Sequence, residues 1–260
     1  EFAVSDHILV EREPGLLTLR MNRLDKKNAL TRQMYAQMAA ELNAANADRS
    51  VRAVLLTGSE GCFTSGNDLM DFMQAPKEGL GGEVLQFMQA LFEFSKPVVA
   101  AVAGPVVGIG TTMLLHCDFV YTSRDAVLKM PFVQLGLCPE YGSSLILPRL
   151  VGQAKASELL LLSESFSGEQ AAAWGIANAC LADGAATFAK ARETALRLLD
   201  LAPSAVEVSK RLMRAPGREE LRQVIKEEGE LFGARLSHPE AQEAIGAFMQ
   251  KRKPDFSKFA

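Results

Sequence analysis

Apolar and polar residues alternate through Ile8-Leu9-Val10 and again through Leu17-Thr18-Leu19-Arg20-Met21. That period of two is the mark of half-buried strands, and Pro14-Gly15 between them predicts the turn. From Thr31 the period changes. Met34, Met38 and Leu42 recur at helical spacing behind a hydroxyl that can cap the first turn, which predicts a helix to about Ala47. Val54–Leu56, Pro97–Val102 and Phe119–Tyr121 are apolar runs with no polar face, and they read as strands buried on both sides. Leu69–Met73, Glu83–Ser95 and a short segment after Gly110 read as helices between them. Alternation of strand and helix predicts an α/β core with parallel strands. Beyond Gly184 only helical patterns remain: Ala185–Leu199, Pro203–Arg214, Glu219–Leu236 and Pro239–Gln250. The expected division is a core over residues 1–200 and a helical region over 201–260. Helices that cannot bury their apolar faces alone would pack on their own core or on a neighbouring subunit. There is no internal repeat.

Composition narrows the class. A net charge of −3 with dispersed lysines and arginines argues against nucleic acid as a partner. Cys62, Cys117, Cys138 and Cys180 are far apart with no C-x-x-C, as expected of free thiols in a reducing compartment. His7, His116 and His238 are too scattered for a zinc site, and His116 in Met113-Leu114-Leu115-His116-Cys117 reads as a packed core histidine. No metal is expected. No signal peptide or membrane-spanning stretch is visible, and Ser257-Lys258-Phe259-Ala260 is not a peroxisomal address. A cytoplasmic protein is the resulting expectation.

Three segments can carry chemistry. Glu140 lies in Cys138-Pro139-Glu140-Tyr141-Gly142-Ser143-Ser144, between Leu135-Gly136-Leu137 and Leu145-Ile146-Leu147. A carboxylate in so uncharged a stretch is costly unless it is paired or used. An acid ahead of the predicted Ser143–Leu150 helix also suits the helix dipole, which is the plain structural account. Phe63-Thr64-Ser65-Gly66-Asn67-Asp68-Leu69 is a strand-to-helix turn. Gly66 permits a sharp bend that aims the Asn67 N–H into a cleft, and Asp68 can cap or pair. Gly108-Ile109-Gly110 follows a strand and precedes a helix. It lacks the third glycine and the acidic residue of a dinucleotide fingerprint, and no phosphate-binding P-loop or nucleophile elbow exists. What remains is a helix N-terminus with free N–H groups, suited to an anionic oxygen. Each loop alone is equally well a structural turn.

Taken together, in this order and spacing, the segments resemble the crotonase (enoyl-CoA hydratase/isomerase) superfamily. The likeness covers nearly the whole chain. It includes Asn22 to Leu30, Phe63 to Leu69, Lys96 to Gly104, Cys117-Asp118, Pro131 to Gly136, Gly168 to Gly175 and Phe248 to Pro254. The resemblance implies a spiral of ββα units with a helical C-terminal region, assembled as homotrimers or dimers of trimers. It implies an acyl-CoA thioester as substrate, so that coenzyme A arrives as part of the substrate and no separate cofactor is needed. By motif, the Asn67 and Ile109 N–H groups would hold the thioester oxygen. The CoA moiety would lie along Lys26, Lys27, Ala29, Ser65, Gly66, Asp68, Leu69 and Gly108, with Phe248 and Lys251 contributing from the C-terminus.

Departures from the family pattern bear on the reaction. Hydratases of the family carry two glutamates that handle water; the matching positions here are Thr112 and Phe132. Glu140 stands eight residues after Phe132, in a context similar to the peroxisomal-type Δ3,Δ2-enoyl-CoA isomerase branch. There, one glutamate performs both proton transfers during fatty acid β-oxidation. Glu140 is therefore the implied catalytic base. Met70, Phe72, Met73, Leu137 and Cys138 are candidates for the acyl pocket, or for ordinary core. Two alternatives stay open: a hydratase-like enzyme acting on another acyl-CoA, and a non-catalytic CoA-binding module.

Overall fold

A computed structural model of the chain describes residues 7–59, 61–73 and 82–259. In chain order the elements are β1 (Ile8–Glu13), β2 (Leu16–Met21), α1 (Arg32–Ala47), β3 (Ala53–Thr57), α2 (Leu69–Met73), α3 (Gly82–Phe92), β4 (Val98–Val102), β5 (Pro105–Val107), α4 (Ile109–Thr112), β6 (Phe119–Ser123) and β7 (Val127–Lys129). There follow α5 (Ser143–Val151), α6 (Gln153–Leu161), β8 (Phe166–Ser167), α7 (Gly168–Ala173), β9 (Ala179–Leu181), α8 (Gly184–Leu199), α9 (Pro203–Arg214), α10 (Arg218–Leu236) and α11 (Pro239–Met249).

The main sheet runs β1-β2-β3-β4-β6-β9. Only the β1–β2 hairpin is antiparallel. Successive residues face opposite sides of a strand, and here both sides are covered. Val54 and Leu56 of β3 face the layer that holds Met34, Met38 and Leu42 of α1 and Phe87 and Leu91 of α3. Ala53 and Leu55 face Ala191 and Ala195 of α8. That double cover explains the unbroken apolar runs of the central strands. It also corrects the expectation for β2. Thr18 points to the α8 side and is only 2% exposed, so β2 is buried on both faces rather than one. Thr31 caps α1 as the sequence predicts, its hydroxyl accepting the Met34 N–H at 3.3 Å. Such a cap is typically worth about 1 kcal/mol.

A second, small sheet has the order β5-β7-β8. Its strands are two or three residues long, too short for a periodic signal, and the sequence does not predict them. Val106, Leu128 and Phe166 pack at its centre, fully or almost fully buried. The Phe63–Asn67 segment joins it through Thr64, whose N–H meets the Pro105 carbonyl and whose carbonyl accepts the Val107 N–H, both at 3.0 Å. This small sheet sets the two glycine turns side by side.

The C-terminal helices return to the core of their own chain. Lys210 and Arg214 of α9 bind Asp118 at 2.7 and 2.8 Å. Helix α10 places Phe232 edge-on to Phe132. Helix α11 meets the chain at Gly136, in the left-handed region at φ 68°, where a Cβ would stand 2.6 Å from the Ala241 nitrogen. Glycine is required there on both counts. Among the described residues no helix is long and apolar enough to cross a membrane.

Candidate active site

One cavity of about 1420 Å³ lies between the small sheet, the Glu140 turn and helices α10 and α11. It gathers the sequence-predicted residues Lys26, Ala29, Ser65, Gly66, Asn67, Asp68, Leu69, Gly108, Ile109, Glu140 and Phe248. Two candidates fall outside it. Lys27 and Lys251 take left-handed conformations, at φ 50° and 54°, and both are exposed and away from the cavity wall. The cations that do line it are Arg23, Lys26, Lys129 and Arg252. They give an anionic ligand such as a phosphate its counter-charge. Of the acyl-pocket candidates, Met70 and Leu137 line the cavity and Cys138 does not; the side chains of Phe72 and Met73 lie outside the described residues.

The Gly66 turn is held from two sides. Leu30 donates its N–H to the Gly66 carbonyl at 2.8 Å and accepts the Asp68 N–H at 2.9 Å. This parallel bridge uses the groups on either side of Asn67, so the N–H of Asn67 itself points away from Leu30. Gly66 sits at φ 92°, and an added Cβ would lie 3.0 Å from the Val107 carbonyl oxygen. Gly108, at φ 60° and ψ −120°, is in a region open to glycine alone, and it starts α4 so that Ile109 supplies the first N–H of that helix.

Supporting groups fix these loops. Asn28, fully buried, donates to the Cys62 carbonyl at 2.7 Å and accepts the Arg23 N–H at 2.6 Å. Asp68 caps α2 by accepting the Met70 and Asp71 N–H groups and pairs with Arg23 at 2.7 Å. Burial opposes its charge, yet the Arg23 hydrogen bond and the backbone donors more than offset this and hold its carboxyl below the ordinary range. Tyr35, buried on α1, donates its hydroxyl to the Asn67 side-chain oxygen. Neither Asn28 nor Tyr35 had a sequence signal. Tyr35 reads as one more member of the apolar face it shares with Met34 and Met38.

Glu140 is 1% exposed. The Thr112 hydroxyl donates to its Oε1 at 3.3 Å, while its Oε2 is buried without a hydrogen-bond partner among the described residues. Burial pushes its carboxyl up to about 8, repulsion from Glu228 adds to the rise, and the Thr112 hydrogen bond offsets part of it. A carboxyl poised near neutrality with one bare oxygen on a cavity wall suits proton transfer. His116 behaves as the packed core residue expected from the sequence. It stacks on Tyr141, gives its Nε2–H to the Tyr141 carbonyl at 2.7 Å, and is pushed down to about 3 by burial. Among the described residues no three His, Cys, Asp or Glu side chains are grouped to hold a metal.

The family model for enoyl-CoA hydratase/isomerase matches residues 11–258. The chain belongs to the enoyl-CoA hydratase/isomerase family. Its crotonase fold is shared with the solved structure of Pseudomonas aeruginosa OdaA, which is 62% identical with a TM-score of 0.91 and covers 94% of this chain and 99% of its own. A family member from Pseudoalteromonas atlantica is 40% identical at TM-score 0.91, covering 97% and 100%. Enoyl-CoA delta isomerase 2 of Homo sapiens and of Rattus norvegicus are 34% and 37% identical over 94% and 96% of the chain. The chain spans only 64% and 65% of the length of those two relatives. The family also holds the Escherichia coli 2,3-dehydroadipyl-CoA hydratase, 31% identical over 96% of this chain and 98% of its own length. Thr112 bonds Glu140, and Phe132 packs on Phe232.

Proposed function

We propose that the protein is a Δ3,Δ2-enoyl-CoA isomerase that moves the double bond of a 3-enoyl-CoA to give trans-2-enoyl-CoA. One observation carries the reading. The carboxyl of Glu140 faces the cavity with an unpartnered oxygen, and the Asn67 and Ile109 turns share that cavity; the resemblance adds that Thr112 and Phe132 stand where hydratases would carry their two glutamates. The substrate thioester oxygen accepts the Asn67 and Ile109 N–H groups. Glu140 removes a proton from C2, and the electron pair left there delocalises through C1 onto the thioester oxygen and across C3 onto C4, as a dienolate. The same carboxyl, now protonated, delivers its proton to C4, and the double bond closes between C2 and C3. Each oxyanion donor is worth about 3 kcal/mol in the transition state. A single carboxyl shuttling one proton requires no metal and no redox cofactor.

The CoA phosphates are assigned to Lys26, Lys129 and Arg252, and the acyl chain to the apolar wall of Phe132, Leu137, Phe232 and Ile245. That wall keeps water from the dienolate and so favours isomerisation over hydration. Self-association through the helical region of residues 201–260 is supported by Val208, Leu212 and Met213, apolar and exposed on α9.

The test is absorbance in the conjugated-thioester band after mixing with trans-3-hexenoyl-CoA, for the wild type and Glu140→Ala. A rise in the wild type that is lost in the variant is expected. No rise from a protein that still binds CoA sinks the isomerase reading and favours a binding module. Formation of a 3-hydroxyacyl-CoA from trans-2-hexenoyl-CoA would move it to the hydratases.

A further inference from the structure

A second buried carboxylate stands behind the first. Glu228 of α10 is 6% exposed and lies 88 residues along the chain from Glu140. Its Oε2 accepts the Gly142 N–H, and its Oε1 accepts both the Ser144 N–H, at 3.0 Å, and the Ser144 hydroxyl. These donors open α5, and the N-cap of that helix, Gly142, has no side chain to satisfy them. Glu228 supplies the cap from another element.

The segment it grips is strained. Tyr141 sits at φ 56° and Gly142 at φ 78°, two successive left-handed residues directly after Glu140. A non-glycine residue there is strained and persists only where its surroundings impose it. Three clamps impose it. His116 holds the Tyr141 carbonyl, the Tyr141 hydroxyl donates to the Met88 carbonyl at 2.7 Å, and Glu228 holds Gly142 and Ser144. Of these only Glu228 is an acid, and only Glu228 comes from the C-terminal helices.

We propose that Glu228 is a positioning residue for Glu140: it fixes the left-handed turn that presents the carboxyl to the cavity. The proposal rests on the reading of Glu140 as the base. The groups facing Glu140 are Tyr35 from α1, Thr112 from α4, Cys138 and Tyr141 on its own turn, and Glu228 from α10, with His116 one residue removed on the Tyr141 carbonyl. Burial keeps Tyr35, Cys138 and Tyr141 protonated and His116 neutral around pH 7. Burial raises the Glu228 carboxyl, the Ser144 and Gly142 donors offset part of that rise, and Glu228 faces Glu227 on its own helix and Glu140 across the turn. The Glu140 proton is held partly because a second negative charge would otherwise meet the first.

The test uses Glu228→Gln in the full chain, with two readouts. One is the titration midpoint of Glu140 by carbon-13 NMR of labelled glutamate, its signal identified by its loss in Glu140→Gln. The other is kcat and KM with trans-3-hexenoyl-CoA. The expected result is a midpoint at least half a pH unit lower and a kcat on the high-pH plateau about tenfold lower, with KM within twofold. A residue that merely braced the fold would lower Tm and leave midpoint and plateau kcat at wild-type values, and that outcome overturns the proposal. Should Glu228→Gln fail to fold, Ser144→Ala removes one of the bonds that anchor Glu228; it should cut kcat severalfold with KM retained, and a wild-type kcat there overturns the proposal equally. The two readings fail separately. A wild type that isomerises nothing removes the isomerase assignment while the NMR midpoint still tests Glu228. An isomerase that depends on Glu140 yet ignores Glu228→Gln removes this inference alone.

Discussion

Two parts of the molecule bury a carboxylate beside the same stretch of chain and use it in opposite ways. At the foot of α9, Asp118 accepts the Val98 N–H at 2.8 Å, Lys210 at 2.7 Å and Arg214 at 2.8 Å. Both of its oxygens are engaged, and the cations pin α9 to the end of β4. In the cavity wall, Glu140 has one donor, Thr112, and one bare oxygen. Burial alone does not separate the two residues. Saturation of the oxygens does: both oxygens of the first carboxylate are bonded and the group is fixed, while the second keeps one oxygen bare and available. A buried carboxylate with an orphaned oxygen on a cavity wall is where chemistry is to be sought.

The strongest way to break this contrast is to neutralise each group in turn. Glu140→Gln should cost at least about a thousandfold in kcat, because the one group that moves the proton is gone. It should also stabilise the fold at alkaline pH. The carboxyl ionises near 8 in the folded protein, against an ordinary 4.5. Between those values the unfolded chain has already released its proton, so stability falls as pH rises, and the penalty is complete above about 8. The Tm of Glu140→Gln should therefore exceed that of the wild type by a margin that widens from pH 5 to pH 9. A margin that stays constant across that range contradicts the raised ionisation of Glu140.

Asp118→Asn should behave in the opposite way. Removing the charge strands Lys210, itself nearly buried, and weakens the hold on Arg214. Breaking a buried pair from one side costs about 3–5 kcal/mol. Denaturant unfolding should show that loss, while the folded fraction keeps a kcat within about twofold of the wild type. A large drop in kcat at full occupancy of the folded state would mean that the α9 anchor also shapes the cavity.

The unequal legibility of the two regions follows from the signals each leaves. Strands β1 to β4 and β6 of the main sheet and helices α1, α3 and α8 to α11 could be read because each runs over five residues or more; β9, with three, could not. The small sheet β5-β7-β8 could not, since two or three residues carry no period, and it is this sheet that brings Gly66 and Gly108 together. Glu140 stood out as an acid among apolar residues, and Asn67 and Ile109 were marked by their glycines. Lys27 and Lys251, which the resemblance placed on the CoA moiety, do not line the cavity, and both sit in left-handed backbone that no pattern in the sequence announces. Glu228 was hidden for the opposite reason. It lies in Lys226-Glu227-Glu228-Gly229-Glu230, which reads as a solvated helix face; only one carboxylate of that run turns inward, and its partners, Gly142 and Ser144, lie more than eighty residues away.

The smallest expected effect gives the finest test of how Glu140 is tuned. Its carboxyl near 8 leaves roughly a tenth of it ionised at pH 7. For a general base, kcat/KM should then climb almost tenfold from pH 6 to pH 7 and level off above about pH 8. Among the described residues, Thr112 is the group that favours the ionised form by donating to it. Thr112→Val removes that donor at nearly constant volume, so the rising limb should move to higher pH, lowering kcat/KM severalfold at pH 7 and little at pH 9.5. Thr112→Ser, which restores a hydroxyl, should return the limb toward its wild-type position. Glu228→Gln should displace the same limb the other way, because it removes a repulsion rather than a hydrogen bond. Opposite displacements from two neighbours of one carboxyl are hard to produce by general loosening of the cavity, which would lower the plateau in both variants and move neither limb. A Thr112→Val profile that coincides with the wild type, or that shifts toward acid, would show that the hydroxyl does not act on Glu140 in solution.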